Sequence, residues 1–189
     1  MNRLARMVLG GMVVTIGLAV GTAQANIVTN GSFETGDFTG WTQGGNTGFT
    51  GVECPGFGLV GPNDGRCDAF LGPVGSNGTL SQVLTTLPGR LYSINFDFQP
   101  DGGSPSNFSA TWDAQPALFS VTNPAASAYQ VLHFVALATS PTTSLTFSFR
   151  DDPGFLKLDS VNVQVPEPGT MALLGIGMTG LLLRRRKTL

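Results

Sequence analysis

Between residues 26 and 164 the apolar positions recur at every second residue in short runs, and turn-forming residues close each run. Tyr92, Ile94, Phe96 and Phe98 share one face of residues 91–98, while Ser93, Asn95 and Asp97 share the other. Leu145, Phe147 and Phe149 repeat the pattern, with Thr146, Ser148 and Arg150 pointing outward. Leu156, Leu158, Val161 and Val163 mark a last strand whose phase slips near Asp159 and Ser160, as a bulge would make it do. Residues 79–84, 108–112 and 117–121 are shorter candidates. Residues 129–137 are almost continuously hydrophobic, which predicts a central strand. No long stretch has helical periodicity. Eight to ten strands in about 140 residues predict an all-β fold. Two sheets would close over an aromatic core of Phe96, Phe98, Phe134, Phe147 and Phe149.

The two ends of the chain follow a different pattern. Arg3 and Arg6, an apolar run over residues 7–20 and the small-residue site Ala23-Gln24-Ala25 predict a secretory signal helix, residues 1–25, cut after Ala25. At the other end, Val165-Pro166-Glu167-Pro168 leads into an apolar run over residues 171–183, closed by Arg184, Arg185, Arg186 and Lys187. The prolines continue neither a helix nor a central strand, so they form a stiff extended spacer. The run predicts a short transmembrane helix. Thirteen residues at about 1.5 Å each span roughly 20 Å, against about 30 Å of hydrocarbon. Both apolar ends carry their cations on the side that stays cytoplasmic, which places residues 26–164 outside.

Pro166-Glu167-Pro168, the short apolar helix and the arginine cluster, all within residues 165–189, resemble the bacterial PEP-CTERM sorting signal. The resemblance implies an exosortase as partner, an integral-membrane cysteine transpeptidase that cleaves at or near Pro-Glu-Pro. It also implies transient anchoring in the cytoplasmic membrane. Transfer to the cell surface or extracellular matrix would follow, in contact with exopolysaccharide.

Charge narrows the function of the body. Six of the ten basic residues lie in the terminal signals, leaving Arg66, Arg90, Arg150 and Lys157. Against eleven acids, those four give the body a net charge of −7. Such a surface offers no footprint for nucleic acid and suits a secreted domain that binds neutral or cationic ligands.

The opening Asn30-Gly31-Ser32-Phe33-Glu34, with Gly40-Trp41 and the closing Leu158-Asp159-Ser160-Val161, resembles the galactose-binding-like jelly roll of carbohydrate-binding modules. The resemblance implies a β-sandwich whose first and last segments lie side by side near a structural calcium. Glu34 and Asp159 would be its acidic ligands, both suited to a hard cation. The family's middle acidic ligand has no counterpart here.

Other candidate chemistry is sparse. Cys54 and Cys67 lie in a Gly/Pro-rich loop and pair as a disulfide in an oxidising compartment; a metal pair or a redox pair is the alternative. Gly56-Phe57-Gly58-Leu59-Val60-Gly61 matches a dinucleotide fingerprint in letters, but neither a strand nor a helix flanks it. The sole histidine, His133, sits inside a strand with no nucleophile elbow in the chain. Asp151 and Asp152 are adjacent, so strand geometry sends them to opposite faces unless the chain turns at Pro153-Gly154. No catalytic site emerges. Sugar binding needs an exposed ring, and Trp112, beside the loop over residues 101–107, is the candidate, with Trp41 assigned to the core. The expectation is a non-catalytic carbohydrate-associated surface protein. The alternative is a small polysaccharide hydrolase or lyase using Asp151, Asp152 or His133.

Overall fold

The computed structural model describes residues 25–54 and 61–166. The signal helix, its cleavage residue Ala23, the apolar helix and the residues from Glu167 to Arg186 expected to form the sorting signal lie outside the described residues. All ten elements described are strands. In chain order they are β1 (Thr42–Gly45), β2 (Thr50–Glu53), β3 (Asp68–Leu71), β4 (Gly78–Thr85), β5 (Leu91–Gln99), β6 (Ser106–Trp112), β7 (Phe119–Thr122), β8 (Gln130–Leu137), β9 (Thr142–Asp151) and β10 (Leu156–Gln164).

They form two five-stranded sheets, ordered β1-β4-β9-β6-β7 and β2-β3-β10-β5-β8, with every neighbouring pair antiparallel. The strict alternation in β4, β6 and β9 puts Leu80, Phe108, Ala110, Leu145, Phe147 and Phe149 inward from one sheet. Ala69, Leu71, Ile94, Phe96, Leu156 and Leu158 meet them from the other. The rings interlock: Phe98 stacks on Phe108 at 4.3 Å, and Phe96 meets Phe147 edge-on at 5.2 Å. Burying each such ring stabilises the fold by about 1.5–3 kcal/mol.

The segment before β1 closes the sandwich. Asn26 accepts the amides of Val28 and Val163 and donates to the Val161 carbonyl, and the Ile27 amide donates to the Val163 carbonyl. The first described segment therefore runs beside the last strand, as the jelly-roll resemblance implies. The phase slip in β10 is a bulge: the register against β5 shifts between Asp159 and Asn162, and Ser160 takes φ 53°.

Two expectations are corrected. β8 is an edge strand of its sheet, and its continuous hydrophobicity arises because Val131, Val135 and Leu137 face solvent while Leu132, Phe134 and Ala136 face the core. Phe134 is accordingly half-buried, packed at the margin of the core against Phe96. The core list otherwise stands: Phe96, Phe98, Phe147, Phe149 and Trp41 are all buried.

Candidate functional site

Sequence reasoning placed the sugar platform at Trp112, and the structure does not. The indole is fully buried, 5.8 Å from Tyr92, and its Nε1–H donates to the Leu137 carbonyl. No sugar reaches it. A different pair of rings is displayed on the outer face of the second sheet. Phe70 on β3 points away from the core between inward Ala69 and Leu71. In register it stands beside Gly51 of β2 on one side and Lys157 of β10 on the other.

Glycine makes that platform possible. A Cβ on Gly51 would lie 2.6 Å from the tip of the Phe70 ring. One on Gly72 would lie 2.7 Å from Phe155 Cδ1. Both rings therefore settle over bare backbone, 5.5 Å apart and edge to face. Phe155 is 41% exposed. With Gly36, Val52, Glu53, Cys54 and Lys157 the two rings line an open cleft of about 720 Å³.

The cleft has a charged floor. Lys157 Nζ contacts the Glu53 carboxylate directly and lies 3.3 Å from Asp68 Oδ1. Tyr129 donates its hydroxyl to Asp68 Oδ2 at 2.8 Å. Burial pushes the Lys157 ammonium down to about 8 and pushes Asp68 up, the Tyr129 bond working in the opposite direction on the acid. Burial, and then Asp68, raise the Tyr129 phenol. The disulfide Cys54–Cys67, with Cα atoms 4.4 Å apart, ties β2 to β3 at the rim. Closing a loop of that length contributes on the order of 3 kcal/mol. The rings offer apolar faces to the C–H face of a sugar, and Glu53 and Lys157 offer an acceptor and a donor for hydroxyls.

Glu34 and Asp159 converge on residues 63–67. Glu34 Oε1 accepts the amides of Arg66 and Cys67, which hold its carboxyl below the usual range. Asp159 accepts the amides of Asp64 and Ser160, while burial pushes it up to about 6. Asn63 donates to Asp97 beside them. Through these amide bonds the Glu34 and Asp159 carboxylates anchor the loop over residues 63–67.

The residues of the enzymatic alternative are scattered. His133 is exposed on β8 and meets Asn95 and Ser93. Asp152 is held by Arg150 and the Gly75 amide. Asp151 points inward at the end of β9, in the other sheet from His133.

The fold belongs to a recognisable class. It is similar to the TmCBM61 module solved in complex with beta-1,4-galactotriose, with a TM-score of 0.60 and 16% identity over 75% of this chain and 99% of that one. The enzymatically active domain of bacteriophage CBA120 tailspike protein 4 matches at 0.56 and 16%, over 75% of this chain and 21% of that one. A xylan-binding domain from CBM 22 matches at 0.51 and 13%, over 78% and 96%. At such identities the likeness shows the fold: an all-β two-sheet sandwich of the carbohydrate-binding-module type. Beyond the sandwich, residues 164–187 match the PEP-CTERM protein-sorting motif. No curated protein matches the chain in sequence.

Proposed function

We propose that this chain is a secreted, non-catalytic carbohydrate-binding protein of the cell surface or extracellular matrix, delivered by its C-terminal sorting motif. An exosortase in the cytoplasmic membrane cleaves the motif at or near Pro166-Glu167-Pro168 and frees the sandwich. The motif over residues 164–187 supports the delivery. Cutting after Ala25 would leave as the new N-terminus Asn26, which makes the first side-chain hydrogen bonds among the described residues.

The observation that carries the binding role is the Phe70–Phe155 pair over Gly51 and Gly72, walled by Glu53 and Lys157. The ligand is an exopolysaccharide whose pyranose faces stack on those rings. The sandwich over residues 24–166 is a compact unit holding the whole described core, so it can be tested alone. A glycan array probed with residues 26–165 tests the proposal. Retention should fall at least about tenfold in Phe155→Ala, the loss of a ring worth roughly 1.4 kcal/mol or more. Equal retention by the variant, or turnover of a polysaccharide by the wild type, contradicts it.

A further inference from the structure

Three strands of the second sheet bring a lysine and two acids together on one face. Glu53 of β2 stands in register with Asp68 of β3, and Lys157 of β10 stands in register with Phe70. Asp68 and Phe70 lie two residues apart on β3, so all four side chains share the outer face. The Lys157 side chain reaches across β3. Its Nζ touches the Glu53 carboxylate and lies 3.3 and 3.4 Å from the two Asp68 oxygens.

Little water reaches these groups. The side chains of Lys157 and Glu53 are 13% and 10% exposed, and that of Asp68 is 0% exposed. One ammonium and two carboxylates in that setting are costly as separated charges. Burial pushes Lys157 down to about 8, toward the free amine, and pushes Asp68 up, toward the protonated acid. The Tyr129 hydroxyl holds Asp68 by its Oδ2, at 2.8 Å. A poorly solvated amine thus lies against one carboxyl group, with a second beside it to move protons.

We propose that Lys157 Nζ and Glu53 Cδ join in an intramolecular amide bond, with Asp68 as the acid–base catalyst. The step needs no outside reagent. Lys157 passes a proton to the Glu53 carboxylate, leaving a neutral amine and a neutral carboxylic acid. The Nζ lone pair attacks Cδ and forms the C–N bond. Asp68, the cross-strand neighbour of Glu53, gives its proton to the departing hydroxyl and takes one from Nζ. The C–O bond breaks, one water leaves, and Asp68 ends as it began. Fixed groups of this kind react as though at about 10⁵ M or more, and the ion pair that is lost was poorly solvated. The bond ties β2 to β10 across β3, joining residues 104 apart in sequence. It keeps a carbonyl and an N–H at the floor of the cleft, so it is compatible with the sugar site and is tested apart from it.

Intact-mass measurement of residues 26–165, folded in an oxidising compartment and then denatured and reduced, tests the bond. The wild type should weigh one water less than its sequence with free thiols. Fragmentation of its peptides should yield a branched species joining Lys157 to Glu53. Glu53→Ala, Lys157→Arg and Asp68→Asn should each show the full sequence mass. Lys157→Arg keeps the cation and Asp68→Asn keeps the shape, and urea unfolding of these two confirms that the linkage is lost from a folded chain. A wild type of full sequence mass overturns the inference whether or not any variant folds. So does a water loss that persists in any of the three variants, or a branch at Asp68 in place of Glu53.

Discussion

Trp112 shows what a single residue's setting decides. Its chemistry suits sugar binding, but Phe108, Ala110 and Trp112 alternate in one phase along β6, and that phase faces the core. The alternation was legible in the sequence and outweighs residue type. Trp112→Ala should therefore cost about 3–5 kcal/mol of stability, measured by urea unfolding, with glycan affinity unchanged in the fraction that remains folded. Asp159 makes a second test at this scale. Its folded value of about 6 lies above the 3.8 of the unfolded chain. The folded protein thus holds more protons between those values and loses stability as pH rises through them. Asp159→Asn removes that loss. Its stability relative to the wild type should grow from pH 4 to pH 6 and stay constant above, read from urea midpoints at pH 4, 5, 6 and 7. Parallel profiles would sink the assignment.

At the scale of elements, the long strands β5, β9 and β10 were readable because apolar and polar residues alternate along each, even though in β5 the polar face is largely buried as well. The bulge at Asp159 was readable too, since a slipped phase is a period-2 signal with one residue too many. β8 was misplaced for the same physical reason: hydrophobicity on both faces looks central whether the second face is covered by protein or by water. The short strands β1 and β2 carry Gly44, Gly45 and Gly51 and give almost no alternation to read. The cleft depends on β2. Its rings are positioned by glycine backbones on neighbouring strands or turns, and the pairing of Gly51 with Phe70 is a tertiary fact absent from either local sequence. Gly51→Ala should lift the Phe70 ring and weaken glycan retention several-fold, with an unfolding midpoint close to that of the wild type. An unchanged array profile would show that the ring's seat is immaterial.

For the whole molecule, the ends of the chain were more informative than its middle. An apolar run with terminal arginines and Pro-Glu-Pro is a linear signal, complete in sequence and matched as such over residues 164–187. A binding surface is assembled from separate strands and becomes visible only once they are paired. The body's acidity, −7 over the residues between the signals, agrees with a domain that works in solution and meets neutral polymers. On the proposed reading, the same division separates the part of the chain that is retained from the parts that are removed. Intact-mass measurement of the protein recovered from the envelope of its native host tests this most directly. The account expects a polypeptide that begins at Asn26, ends at or near Pro166–Pro168 and lacks Arg184 to Lys187. A mature protein that keeps the apolar run and its arginines would contradict it.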